Sequence, residues 1–103
     1  MKYVMTWTAR NGSSGAENEQ SVRRALELLS KWQPEPGTTI REFLGRADSE
    51  GGFAVVETDS ITEVLNATAK FAPYVQYQVY PVVEVADWVQ SAQEAMGYRN
   101  GIG

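Results

Sequence analysis

Gly51-Gly52-Phe53-Ala54-Val55-Val56-Glu57-Thr58-Asp59-Ser60 is the stretch on which the fold turns. Two glycines open it, an apolar run follows, and a serine positioned to start a helix closes it. Alternate residues of a strand point to opposite sides of a sheet. Phe53, Val55 and Glu57 therefore share one face, and Ala54, Val56 and Thr58 the other. Both faces begin apolar, unlike the inside/outside alternation of a half-solvated antiparallel strand. The pattern predicts a strand central in its sheet and covered on both sides. The chain's own helices supply one cover, and the other comes from elsewhere.

Outward from that strand, periodicity sets the neighbours. Ser49-Glu50-Gly51-Gly52 is a turn that pairs it in a hairpin with a strand over Thr38–Asp48. There Thr39, Arg41 and Phe43 are expected on one side, and Ile40, Glu42, Leu44 and Arg46 on the other. Mixed charge and Gly45 mark an edge strand. After the central strand, Ser60-Ile61-Thr62-Glu63 fits a capping box. Ile61, Val64, Leu65, Thr68, Phe71 and Ala72 then form the buried stripe of a helix that Pro73 ends.

Upstream, Lys2–Ala9 reads as a strand rich in aromatic and β-branched residues. Arg10-Asn11-Gly12-Ser13-Ser14-Gly15 follows as a surface loop without a phosphate-cradle spacing. Glu17–Trp32 switches to helical period, with Val22, Ala25, Leu26, Leu29 and Trp32 on one stripe. Gln33-Pro34-Glu35-Pro36-Gly37 stops it. Downstream, Tyr74–Val85 is a last strand, with Pro81 placing it at an edge or a bend. Asp87 is expected to cap a helix over Trp88–Tyr98, and Arg99–Gly103 to fray.

The order is β-α-β-β-α-β plus a terminal helix: an α+β, ferredoxin-like plan with a four-stranded antiparallel sheet. Its two main helices cover one sheet face. The other carries apolar and aromatic side chains, which marks an association surface. A symmetric homodimer with sheets face to face is the economical cover.

At 103 residues the chain, 1–103, is one domain, and its 43% hydrophobic and 21% charged content is that of a soluble globular protein. A net charge of −4 with scattered basic residues argues against a nucleic-acid partner. There is no cysteine and no histidine. Thiol nucleophiles, disulfides and the usual zinc and haem ligands are thereby removed, so neither a metal nor a cofactor is expected. No run approaches the roughly 20 apolar residues of a membrane span, and the opening segment is too short for a signal peptide. The expected setting is cytoplasmic, without a membrane partner.

The opening Met1-Lys2-Tyr3-Val4-Met5-Thr6-Trp7-Thr8, the central Gly51–Glu57 run and Pro81-Val82-Val83 carry a likeness. On them the chain resembles the dimeric α/β-barrel superfamily, and within it a small bacterial family, domain of unknown function 3303. The likeness extends to about residue 86, and a bacterial or phage origin goes with it. It implies a homodimer and a pocket between sheet and helices or within the barrel. The superfamily includes cofactor-free monooxygenases, haem-degrading enzymes, isomerases, cyclases and sensing domains. The missing histidine tells against haem degradation and histidine-dependent cyclisation.

Glu57 is the candidate catalytic residue. Turned inward behind Phe53 and Val55, its carboxyl would have a raised pKa and could act as a base. At the strand end it would instead be solvated or paired with Arg41 or Arg46. Trp7 with Tyr74, Tyr77 and Tyr80 offers an aromatic wall for a planar ligand, or simply core and interface. Gln76, Gln78 and Tyr80 supply polar groups for a pocket, or hydrogen bonds across a dimer seam. Glu42 and Arg46 read as an exposed ion pair. Trp7, Glu57, Gln76, Gln78 and Tyr80 are thus the candidate ligand-binding set. The resulting expectation is a small dimeric domain that binds a small organic ligand or acts as an interaction or sensing module. The alternative is a cofactor-independent enzyme of monooxygenase or isomerase type.

Overall fold

The structure, a computed structural model, describes residues 1–10 and 14–102. Residues 11–13 of the expected surface loop, and Gly103, lie outside the described residues. The order is β1 (Lys2–Ala9), α1 (Gly15–Lys31), β2 (Thr39–Gly45), β3 (Gly51–Glu57), α2 (Ile61–Phe71), β4 (Val75–Val82) and α3 (Val85–Ile102). The strands form one antiparallel sheet in the order β2-β3-β1-β4. This is the ferredoxin-like plan, with β3 central and β2 and β4 at the edges.

One sheet face meets the helices. Tyr3 and Met5 of β1, Ala54 and Val56 of β3, and Val64 of α2 form the buried core, with Trp7, Ile40, Tyr77 and Val79 packed against it. Each of the four strands contributes to this face. The opposite face carries Val4, Thr6, Phe53, Val55, Gln78 and Tyr80. Phe53 there is 45% exposed, and Leu44 beside it 54%. The two-faced character of β3 is therefore real, and one face lacks a cover among the described residues.

Local chemistry explains the boundaries. The Ser14 hydroxyl accepts the Glu17 amide at 3.2 Å and starts α1, with Glu17 and Lys31 placed to suit the helix dipole. The hairpin closes where the Arg46 amide donates to the Gly51 carbonyl at 2.8 Å, with Ser49 at φ 64°. Arg10 ties the end of β1 to the end of α2. Its backbone amide donates to the Tyr74 carbonyl at 3.0 Å, and its Nε to the Ala72 carbonyl at 2.9 Å.

Several expectations are corrected. The faces of β2 do not alternate strictly, because the register shifts between Ile40 and Glu42. Arg41 is the extra residue of a bulge. Ile40 and Phe43 consequently share the covered face, while Thr39, Glu42 and Leu44 lie on the open one. Arg46 pairs with Asp48 rather than Glu42. The Ser60 side chain makes no capping bond. Its amide instead donates to the Thr58 hydroxyl oxygen at 3.2 Å, and the capping box is not formed. β4 is shorter than expected at both ends: the Tyr74 amide closes a turn onto Phe71, and Val85 already belongs to α3. That helix begins where the Asp87 and Trp88 amides both donate to the Glu84 carbonyl. Asp87 thus sits inside the first turn, and the expected frayed tail is helical through Ile102.

α3 stands away from the body. The molecule spans 62 × 31 × 22 Å with a radius of gyration of 18.2 Å, against about 13 Å for a compact chain of this length. Trp88 and Tyr98 on α3 are 66% and 70% exposed. Among the described residues, no helix is long and apolar enough to cross a membrane.

The two glycines of β3 permit its close approach to β1, where Thr8 faces Gly51 and Trp7 faces Gly52. A Cβ on Gly51 would collide with the Trp7 carbonyl, and one on Gly52 with the Leu44 carbonyl and the Trp7 indole. Gly51→Ala should cost about 2–3 kcal/mol in urea unfolding, as an overpacked backbone contact does. Gly15→Ala, where the new methyl meets nothing within 4 Å, should change stability by no more than about 0.5 kcal/mol. Equal midpoints for the two variants would contradict this placement of β3.

Candidate functional site: a cavity between the sheet and two helices

α1 does not sink onto the sheet. None of its residues is buried, and a cavity of about 370 Å³ lies between the covered sheet face, α1 and α2. Its floor is Met5, Trp7, Ala54 and Val56, and α1 contributes Val22, Ala25, Leu26 and Leu29. Val22 and Leu26 line it yet are half exposed, so it opens to solvent along α1. The volume falls in the range of small-molecule sites, and the wall is mostly apolar, as such sites are.

Aromatic rings stiffen one side. Phe43 meets Trp7 and Trp32 edge-on at 5.4 and 6.4 Å, and Trp32 meets Phe71 edge-on at 6.3 Å. The bulge at Arg41 makes this possible, since it turns Phe43 to the covered face. Edge-to-face pairs of this kind contribute about 0.5–1.5 kcal/mol beyond their buried area. Tyr77 completes the wall, and burial pushes its phenol up to about 12. It therefore stays neutral across ordinary pH.

Three polar atoms on this wall are buried without a hydrogen-bond partner among the described residues: Trp32 Nε1, Thr38 Oγ1 and Glu63 Oε2. An unpaired buried polar group costs roughly 1–3 kcal/mol, and native structures hold few of them. The residues that carry them all line the cavity, while the atoms themselves are closed off behind its surface. Nearby, the Glu35 carboxylate is paired with Lys70. Among the described residues, no three acidic side chains gather as a metal site would require.

The sequence-derived candidates separate across the sheet. Trp7, Tyr74 and Tyr77 line the cavity. Glu57, Gln76, Gln78 and Tyr80 lie on the open face, where the Tyr80 hydroxyl donates to Gln78 Oε1 at 2.7 Å. Glu57 does follow Phe53 and Val55, but that face is the open one, not the cavity. Its carboxylate accepts both Nε and Nη2 of Arg41 at 3.0 and 2.7 Å, with Lys2 at 3.8 Å. The Arg41 hydrogen bond holds its pKa below the usual carboxylate value, the reverse of what a general base needs. Trp32, Thr38 and Glu63 were missed. Glu63 reads from the sequence as half of a capping box, and only the failure of Ser60 to cap leaves it free to face inward.

The chain belongs to the DUF3303 family, a domain of unknown function, whose pattern spans residues 1–96. Among solved structures it is similar to muconolactone isomerase, at 17% identity and a TM-score of 0.56, over 82% of this chain and 90% of that one. It is also similar to a variant of SnoaB, a cofactor-independent oxygenase from Streptomyces nogalater. That match has 19% identity and a TM-score of 0.35, over 81% of this chain and 92% of that one. No curated protein matches the chain. The likeness to muconolactone isomerase shows the fold alone, and that fold is the ferredoxin-like plan described above.

The Arg41–Glu57 pair yields a pH test. The folded carboxylate titrates below its ordinary value of 4.5. The stability it contributes is therefore present above that pH and fades as pH falls through the folded-state midpoint. Arg41→Ala should raise the Glu57 midpoint, read from its side-chain carboxyl shift by NMR. An unchanged midpoint would mean that Arg41 does not hold the carboxylate in solution.

Proposed function

We propose that the protein is a small-molecule binding domain that works as a homodimer, with the cavity of each protomer as the ligand site. The observation that carries this reading is the apolar, aromatic-walled space of about 370 Å³ between the sheet and two helices. Such a domain would serve as a carrier or sensor of an organic compound in the cytoplasm.

The homodimer is supported by the open sheet face. In plan it covers roughly 450 Å² at ordinary strand spacing and rise, short of the roughly 800 Å² per partner of a stable interface. α3, which leaves the edge strand β4 with Trp88, Val89 and Met96 exposed, has the apolar surface to make up the difference. Fully burying each large side chain is worth about 1.5–3 kcal/mol.

A second reading, a cofactor-independent enzyme of isomerase or oxygenase type, has one observation in its favour. Glu63 is one of the residues that line the cavity, and a carboxyl group at a pocket wall is what acid–base chemistry on a bound substrate needs. The names of the two structural neighbours fit that class, but at their level of identity they speak for fold and not for chemistry.

The neutral dye N-phenyl-1-naphthylamine tests the ligand site. It should bind with enhanced fluorescence at one equivalent per chain. Ala67→Phe, which places a ring inside the cavity from α2, should weaken binding at least about tenfold while far-UV circular dichroism is kept. Equal binding by the variant, or none by the natural protein, would overturn the proposal.

A further inference from the structure

We infer that the cavity takes a small organic acid, with a compact aromatic or aliphatic body inside and its carboxylate at the mouth, on the Arg10 guanidinium. The inference rests on the cavity being a ligand site and names its ligand class. Arg10 follows β1, lines the cavity and is exposed. It is tethered twice: its backbone amide donates to the Tyr74 carbonyl at 3.0 Å, and its Nε to the Ala72 carbonyl at 2.9 Å. Those bonds position the guanidinium and leave Nη1 and Nη2 without an acceptor among the described residues. Arg23, Arg24, Arg41 and Arg46 each meet a carboxylate. Arg10 meets none.

The other charges on the wall do not answer it. Glu35 is paired with Lys70. Glu63 belongs to the first turn of α2, whereas Ala72 follows the last, about 13 Å further along the axis at helical rise. Tyr77 stays a neutral phenol, so no phenolate opposes an anion. Ser49 is brought toward the end of β1, because the Ala9 amide donates to the neighbouring Glu50 carbonyl at 3.1 Å. It lines the cavity, and its hydroxyl is a further donor. A guanidinium fork matches the two oxygens of a carboxylate, and the rings of Trp7 and Phe43 receive the apolar body. One unanswered cation suits one negative charge, and a polyphosphate would bring more than the wall can meet. An organic cation would set its charge against Arg10.

Calorimetric titration compares 3-phenylpropionate with 3-phenylpropionamide, the same skeleton without the charge, and with 3-phenylpropylamine. The natural protein should bind the acid about tenfold tighter than the amide, the low end for a charge-assisted hydrogen bond because the mouth is open to water. The amine should bind weakest. Arg10→Gln should bring the acid to within about threefold of the amide. If the natural protein binds the amide or the amine as tightly as the acid, the inference is overturned whatever the variant does. The same holds if Arg10→Gln keeps the full preference for the acid. If none of the three binds while N-phenyl-1-naphthylamine still does, the inference fails and the ligand site stands.

Discussion

A central strand that is apolar on both faces, in a chain with helices for only one of them, is the constraint on which this structure depends. β3 must be buried twice. α1 and α2 lie over the side that carries Ala54 and Val56, while Phe53 and Val55 face outward beside Leu44, Val4 and Tyr80. Hydrophobic burial is the main favourable term in folding. A chain of this size has little stability to spare for an uncovered apolar sheet. A second copy is the simplest cover, because its own open face has the same need.

The cavity follows from how the first face is covered. Aromatic side chains, not backbone proximity, set the distance between helices and sheet. Trp32, at the end of α1, reaches Phe43 on β2 and Phe71 on α2, and Phe43 in turn reaches Trp7 on β1. These rings prop the layers apart at one side and leave a space behind them that small residues such as Ala25, Ala54 and Ala67 do not fill. The same rings then form its wall. Fold and site are thus two consequences of one set of contacts, and the core is correspondingly thin: five hydrophobic residues are buried among the described residues.

The strand and helix order, the central place of β3 and the edge positions of β2 and β4 were legible, since each rests on short-range periodicity and turn chemistry. What escaped depends on tertiary context. A bulge adds one residue to one strand, and nothing in Ile40-Arg41-Glu42 announces it. Yet it moves Phe43 from the open face to the cavity wall. Ser60-Ile61-Thr62-Glu63 has the right letters for a capping box, but Thr58, buried beneath it, takes the Ser60 amide and Glu63 turns inward. Glu57 was correctly placed on the face of Phe53 and Val55. Whether that face held the cavity depended on the hand of the fold, which alternation alone does not encode. The pairing with Arg41, one of the alternatives its place at the strand end offers, is what the structure contains. The terminal helix was recognised but shortened, because its lack of a clear polar face gave no periodic signal for where it ends.

Sedimentation velocity on the natural protein and on Phe53→Asp tests the covering of the open face most directly. The account predicts a dimer at low micromolar concentration, and a monomer when a charge replaces the exposed phenylalanine at the centre of that face. A natural protein that remains monomeric at high micromolar concentration would contradict it. So would a Phe53→Asp variant as dimeric as its parent, which would place the association elsewhere on the molecule.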